Sequence, residues 1–386
     1  LAAGRHAIAL AALVSCCGNA APRASWSPGQ IAVLRHWLTA APEDALPILP
    51  ATDLDQASAA GDQAAIDRTA EALALRLARM HLLGRNAPDP KQDWHILDSD
   101  TRIDLPARLA QALAEPSSGG QSGLDRFFAD LRPRSPDYAL LRTAYTTEKD
   151  PARRATLATN MDRWRWLPQS LGADYVLVNA AAFEVRLWRH GQQVGTWPVV
   201  VGKTKSPTPT FSAQVSGVTF NPWWDIPPAI VRESIGGMMR RHPALARQRG
   251  YIHTGASYRQ KPGPANALGQ MKLVMPNPFN VYLHDTPEKK LFARDTRAFS
   301  HGCIRVSDAI GFATTLVQDV KSADEVKAII ATGRTTTVDL PMHLPVYVTY
   351  FTATTRSDGT LAILPDIYKR DGTPDATAGH GEGCAG

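Results

Sequence analysis

Two apolar periods divide this chain, and the change between them near Asp174 constrains its fold more than any other feature. Before it, apolar residues recur at helical spacing. Ile66, Ala70, Leu73, Leu77 and Met80 form one face of a helix over Asp62–Leu83, stopped by Gly84 and kept stopped by Pro88 and Pro90. Ser27 or Pro28 opens an earlier helix through Ile31, Leu34, Trp37 and Leu38. Leu105–Leu113, the face Leu124, Phe127, Phe128 and Leu131, and Tyr138–Tyr145 continue the helical pattern. Residues 26–146 therefore read as a helical scaffold domain, in which His81 and His95 are structural or surface residues. Residues 147–173 predict one amphipathic connecting helix. Its Arg163-Trp164-Arg165-Trp166 run should bury the tryptophans at a junction and leave the arginines in water.

After Asp174 the period falls to two. Tyr175–Asn179, Phe183–Trp188, Gly195–Val201, Phe211–Phe220 and Met271–Met275 alternate or run apolar, with turn residues between them. Helices follow over Asp308–Val320 and Ala323–Ala331, then a late hairpin, Leu344–Ala353 with Leu361–Leu364, around Ser357-Asp358-Gly359. The class is α+β: a mostly antiparallel sandwich or barrel-like domain over 174–370, preceded by helices. Residues 222–269 are too long for a hairpin connection and predict a separate insertion. The tail, 371–386, has the composition of a disordered end.

Val281–Val306 carries the chemistry. Val281 and Leu283 point one way and Tyr282 and His284 the other, and Cys303 follows His284 by 19 residues. A thiol of ordinary pKa, about 8.5, becomes a nucleophile when an imidazole takes its proton. His284 is the candidate base, and Asp285 or a backbone carbonyl beside it would orient the ring. Gly302 permits a backbone conformation closed to other residues. Backbone N–H groups around His301, Gly302 and Cys303, with Tyr282, would stabilise an oxyanion, at roughly 3–4 kcal/mol per donor. Arg305 either binds a substrate carboxylate or pairs with Asp308. Ser300, Trp223 and Asn266 are assigned with Arg305 to substrate binding, although Trp223 and Trp224 equally suit packing at a hinge. A zinc site of His284, His301 and Cys303 lacks the paired ligand spacing of structural zinc.

His284 followed by Ser300-His301-Gly302-Cys303-Ile304-Arg305 resembles the signature of the L,D-transpeptidase (YkuD-type) catalytic domain. The likeness extends over roughly Trp94–Tyr368, through Val201-Gly202-Lys203, Thr208-Pro209-Thr210-Phe211, Asn221-Pro222-Trp223-Trp224 and Arg259–Pro264, to the larger subfamily with a helical scaffold and a capping lid. The resemblance implies a cysteine acyltransferase with Cys303 as nucleophile and His284 as base, and no metal or organic cofactor. It implies peptidoglycan stem peptides as substrate, a 3→3 cross-link as product, acylation by carbapenem-type inhibitors, and a place in the periplasm. The same acyl-enzyme passed to water would make an L,D-carboxypeptidase, and passed to a protein lysine an enzyme that attaches or releases lipoproteins. A wall-binding scaffold with an inactive site is the non-enzyme alternative.

Composition narrows the partners. The 386 residues are 44% hydrophobic, enough for two packed domains, and the net charge is +6. The charge is spread without a run of five basic residues, which suits an anionic wall polymer and gives no sign of nucleic-acid binding. Residues 1–25 hold Arg5, His6 and a short apolar run, Ala7–Val14, too short to span a bilayer. Three readings stand: a signal cleaved after Ala20, a lipoprotein signal with Cys16 lipidated, and an ordinary first helix. Membrane association is expected only through such a signal or lipid anchor. Outside Cys16, Cys17 and Cys384, Cys303 is the only cysteine, so an oxidising compartment would leave it without a near disulfide partner.

Overall fold

A computed structural model describes residues 25–85, 93–97, 99–116, 121–255, 257–356 and 358–372. The signal or lipoprotein reading of the first residues, with Cys16 and Ala20, lies outside them, as do Pro88, Pro90, Ser357, Cys384 and the tail from 373. The fold is α+β. Helices α1 (Pro28–Ala40), α2 (Thr52–Ala60), α3 (Gln63–Leu83), α4 (Leu105–Ala114) and α5 (Gly123–Asp130) share one core. Each expected start is fixed by a side chain that accepts from an orphan backbone N–H: Ser27 for α1, Asp62 for α3, Asp104 for α4 and Ser122 for α5. Trp37, Leu77 and Phe128 lie at the centre of that core, and burying each stabilises the fold by about 1.5–3 kcal/mol. His81 is buried among them, its ring 5.6 Å from that of Trp37.

The helix expected over Tyr138–Tyr145 is α6 (Pro136–Thr147). The connecting region holds one helix, α7 (Pro151–Arg165), which starts at Pro151 because Asp150 caps it there and is shorter than expected. Trp164 and Trp166 are buried at a junction with Leu177, Tyr347 and Phe351 of the strand domain, as expected. Arg163 and Arg165, however, are buried too. The Arg163 guanidinium donates to the Asp371 carboxylate at 2.8 Å and the Arg370 carbonyl at 2.7 Å. That of Arg165 donates to Asp162 at 2.8 Å and Tyr138 at 2.6 Å. A planar guanidinium with several fixed acceptors survives burial where a solvated one was predicted.

The strands are β1 (Trp94–His95), β2 (Tyr175–Asn179), β3 (Glu184–Arg189), β4 (Gln192–Gly202), β5 (Thr210–Phe220), β6 (Trp224–Asp225), β7 (Tyr251–Thr254), β8 (Ser257–Gln260), β9 (Met271–Val274), β10 (Leu283–His284), β11 (Ala298–Ser300), β12 (Ile304–Val306), β13 (Thr336–Thr349), β14 (Ala353–Thr355) and β15 (Leu361–Ile363). Eight of them close into a barrel in the order β5-β13-β2-β3-β4-β12-β10-β9, the pairing of β9 with β5 sealing it. All neighbours are antiparallel except β13 with β2 and β10 with β12. Val185, Val201, Val218, Leu283, Ile304 and Val348 fill its interior.

The late hairpin is corrected by this topology. Leu344–Thr349 belongs to β13, a barrel strand that starts at Thr336, and only β14 and β15 form the hairpin. Pro341 and Pro345 hid this strand, since proline cannot donate to a ladder. The register of β13 on β5 shifts between Asp339 and Leu344 to accommodate them. Helices α11 (Ala309–Val317), capped by Asp308, and α12 (Ala323–Ala331) cover one side.

Between β5 and β9 the chain leaves the barrel. Helix α8 (Pro228–Ile230), a π-helical turn at Val231–Ile235, α9 (Gly236–Arg241) and α10 (Pro243–Gln248) make its helical part, and β6, β8 and β7 form a small sheet. Trp224, Ile226 and Leu268 are its core, and Tyr282 packs against them. Among the described residues no helix is long and apolar enough to cross a membrane.

Candidate functional site

The barrel strands β9, β10 and β12 position the site by alternation. Met271, Leu273, Leu283, Ile304 and Val306 turn inward and are buried. The alternate positions Lys272, Tyr282, His284, Cys303 and Arg305 therefore share the outer face. His284 stands opposite Lys272 on one side and Arg305 on the other. The Ile304 N–H donates to the Tyr282 carbonyl at 3.1 Å, which sets Tyr282 beside Cys303. His284 of β10 and Cys303, the residue just before the adjoining β12, thus lie on one face.

The His284 Nδ1–H donates to the backbone carbonyl of Asp285 at 2.5 Å. A carbonyl only accepts, so Nδ1 carries the proton and the Nε2 lone pair is left free. Of the two expected orienting groups, the carbonyl is the one in place. The Asp285 carboxylate turns away to accept from the Gln270 N–H at 2.8 Å and the Lys289 ammonium at 2.6 Å. Burial, reinforced by Arg305 and Lys272 and opposed by the Asp285 carbonyl, holds the imidazole pKa down at about 3. The ring is neutral at pH 7 and available as a base.

Cys303 is half-buried, its Sγ 3.8 Å from the Asn280 carbonyl. Burial pushes the thiol up; the Tyr282 backbone N–H, Arg305 and Lys272 pull it back. The turn before it depends on Gly302, whose φ is +115°. A Cβ there would meet nothing nearer than 3.8 Å, so the backbone angle and not crowding requires glycine. Ser300 Oγ donates to the Cys303 carbonyl at 2.5 Å and accepts from the Gly302 N–H at 3.0 Å. Ser300 is buried, and both of these bonds lie within the turn. The Gly302 N–H is likewise engaged, whereas that of Cys303 meets no acceptor among the described residues.

The other expected residues scatter. His301 is exposed, and its Nε2 lies 2.8 Å from Glu233 Oε2 of the insertion and 3.1 Å from Lys203 Nζ, so its side chain links two surface segments. The Tyr282 ring is 5.7 Å from that of His284, and burial first, then Cys303 and Asp225, push its hydroxyl pKa up, keeping it a neutral donor. Arg305 is half-buried and forms no ion pair among the described residues; Asp308 instead caps α11 through the Gly311 N–H. The half-buried Trp223 lies under the Arg259 guanidinium at 4.7 Å. Asn266 is buried, donates to the Pro222 and Lys261 carbonyls at 2.9 Å each, and accepts from the Leu268 N–H at 2.7 Å.

Sequence reasoning missed Lys272. Its ammonium lies 4.9 Å from the Tyr282 ring centroid, on the face of the imidazole and thiol. The two-residue period of Met271–Val274 was the signal that placed it there. A groove of about 460 Å³ opens beside Gly302, lined by Pro207, Phe279, Val281, Tyr368 and Arg370. Among the described residues no group of three His, Cys, Asp or Glu side chains is placed to hold a metal ion.

Residues 173–340 match the model of the L,D-transpeptidase catalytic domain (YkuD). The match covers the barrel as far as the first part of β13, together with α11 and α12, and the helical region lies before it. A Haemophilus influenzae protein named "Putative L,D-transpeptidase" is 28% identical over 246 residues, 58% of this chain and 50% of that protein. The chain therefore spans about half the length of that curated relative. Among solved structures, L,D-transpeptidase 3 from Mycobacterium tuberculosis in complex with a faropenem-derived adduct is 17% identical, over 46% of this chain and 60% of that one, with a TM-score of 0.26. LD transpeptidase LdtMt1 in complex with imipenem is 17% identical, over 46% and 59%, with a TM-score of 0.23. Both structural overlaps are slight.

Proposed function

We propose that this chain is a peptidoglycan L,D-transpeptidase of the scaffold-plus-lid subfamily, acting in the periplasm. The observation that carries the reading is a neutral imidazole, its proton fixed on Nδ1, on the same barrel face as a thiol that just precedes the adjoining strand. Cys303 Sγ attacks the carbonyl of the third stem residue while His284 Nε2 takes the thiol proton. The developing oxyanion is met by the Cys303 N–H and the Tyr282 hydroxyl. The C–N bond breaks, and the terminal D-alanine amine leaves with the proton from His284. The amine of a neighbouring stem then attacks the thioester and gives its proton to His284. The C–S bond breaks, the thiolate recovers that proton, and a 3→3 cross-link remains.

Lys272 and Arg305 have two tasks in this scheme. They lower the cost of negative charge on sulfur, and they offer cations to the carboxylates of a stem peptide. The insertion between β5 and β9 acts as the lid, and the groove beside Gly302 receives a stem. Carbapenems, which present a strained acyl group, acylate the same sulfur.

Incubation with purified tetrapeptide muropeptides, followed by mass analysis, tests the reading. Cross-linked dimers that vanish in Cys303→Ala support it. Tripeptides without dimers would reassign the acceptor to water, and unchanged substrate beside a protein that a carbapenem does not acylate would overturn it.

A further inference from the structure

A second cavity, of about 610 Å³, lies away from the thiol and exceeds the groove beside Gly302. It sits between the start of α6 with the loop after α7 and the outer face of β2 and β3. Neither Cys303 nor His284 lines it, and the steps above leave it without a task. Its size falls within the ~300–1,000 Å³ of small-molecule sites.

Its chemistry is mixed in a specific way. Tyr175 and Trp188, a cross-strand pair, stack at 4.6 Å and 10° and stay half-buried on one wall. Trp164, itself stacked on Phe351 at 4.6 Å, lies deeper. Between them Arg186 bridges two carboxylates, 3.5 Å from Asp137 and 2.5 Å from Glu184. Burial raises the Glu184 carboxyl despite that guanidinium, so a further donor would be welcome there. Uncharged Gln169 and Gln193 and the guanidinium groups of Arg134 and Arg356 also line it.

We infer that this cavity binds an oligosaccharide. Flat rings receive the C–H faces of a sugar, and carboxylates and a guanidinium set among them exchange hydrogen bonds with its hydroxyl and acetamido groups. A wholly apolar ligand would strand these charges. The inference rests on the wall-enzyme reading for its choice of sugar, a β-1,4-linked N-acetylhexosamine chain.

Calorimetric titration of the full chain with the β-1,4 tetramer of N-acetylglucosamine tests this. Saturable binding is expected, weakened at least tenfold in Trp188→Ala. Thr196→Trp, at an exposed rim position, fills the cavity without touching its core and should weaken binding as much. Both variants should keep wild-type acylation of Cys303 by imipenem, which separates this site from the catalytic one. Absence of binding, binding indifferent to both variants, or binding abolished by prior acylation of Cys303 would overturn the inference. A stem peptide without sugar that bound in the tetramer's place and was lost in the same variants would also overturn it.

Discussion

His284 gives its Nδ1 proton to the backbone carbonyl of Asp285, at 2.5 Å, and not to the carboxylate of the same residue. The orienting group is therefore one that no side-chain substitution removes. The carboxylate acts at one remove, tying that carbonyl to Gln270 and Lys289.

The first prediction separates these roles. His284→Ala should lower kcat/KM by about 10²–10⁴-fold, the usual contribution of a general base. Asp285→Asn keeps the carbonyl and an acceptor for Gln270, losing only a partly exposed ion pair, so the fall should stay under about tenfold. A loss in Asp285→Asn as large as that in His284→Ala, measured on muropeptide or on a carbapenem, would show that the carboxylate itself orients the base.

Lys272 should act on the thiol. Burial raises the Cys303 pKa, and Arg305 and Lys272 work against that rise. Removing one cation in Lys272→Met should move the pH profile of iodoacetamide alkylation to higher pH, and Lys272→Arg should restore it. The profile of the wild type should itself climb into the alkaline range. An unmoved profile in Lys272→Met would leave the lysine a packing residue.

Acid should destabilise the fold through two histidines. His81 and His284 are both held down to about 3 by burial, against an ordinary value of 6.5. Around His81 the Asp44 carboxylate favours the charged ring, while Arg165, Arg132 and Arg142 oppose it. Below pH 6.5 the unfolded chain binds protons that the folded one refuses, so stability falls as pH falls toward 3. Each histidine contributes on the order of 2 kcal/mol of loss between pH 6.5 and 5. Urea unfolding at the two pH values should show this, and His81→Leu should flatten the difference.

Asn266→Ala tests whether that side chain serves folding or substrate. It would leave the Pro222 and Lys261 carbonyls without their donor, at about 1–3 kcal/mol each. The expected result is a lowered unfolding midpoint, with Cys303 alkylation by a small reagent within a few-fold of wild type. A raised KM at unchanged stability would return Asn266 to the substrate.

Glu233 joins the insertion to the turn that carries the thiol, through His301 and Lys203. Glu233→Gln should speed amide hydrogen exchange in residues 228–249 while leaving barrel strands β2 and β3 protected. Unaltered exchange across 228–249 would mean that packing on Tyr282, and not this ionic contact, holds the insertion down.

Local rules were enough for much of this protein. The caps of α1, α3, α4 and α11, the stop at Gly84, the glycine before the nucleophile, and the alternation that sets Tyr282 and His284 on one face all follow from a few neighbouring residues. Their energies are set within a turn or a strand. What the tertiary structure decided are the partners far apart in sequence. It closed the barrel by joining β9 to β5, and it made β13 one strand across two prolines. It also put Lys272 opposite His284, and gave Arg163 and Arg165 buried acceptors where water was expected. Ser300 and Asn266 found hydrogen-bond partners within the protein. A polar side chain's role depends on which acceptors, donors and charges surround it after burial, and only the assembled chain determines that set.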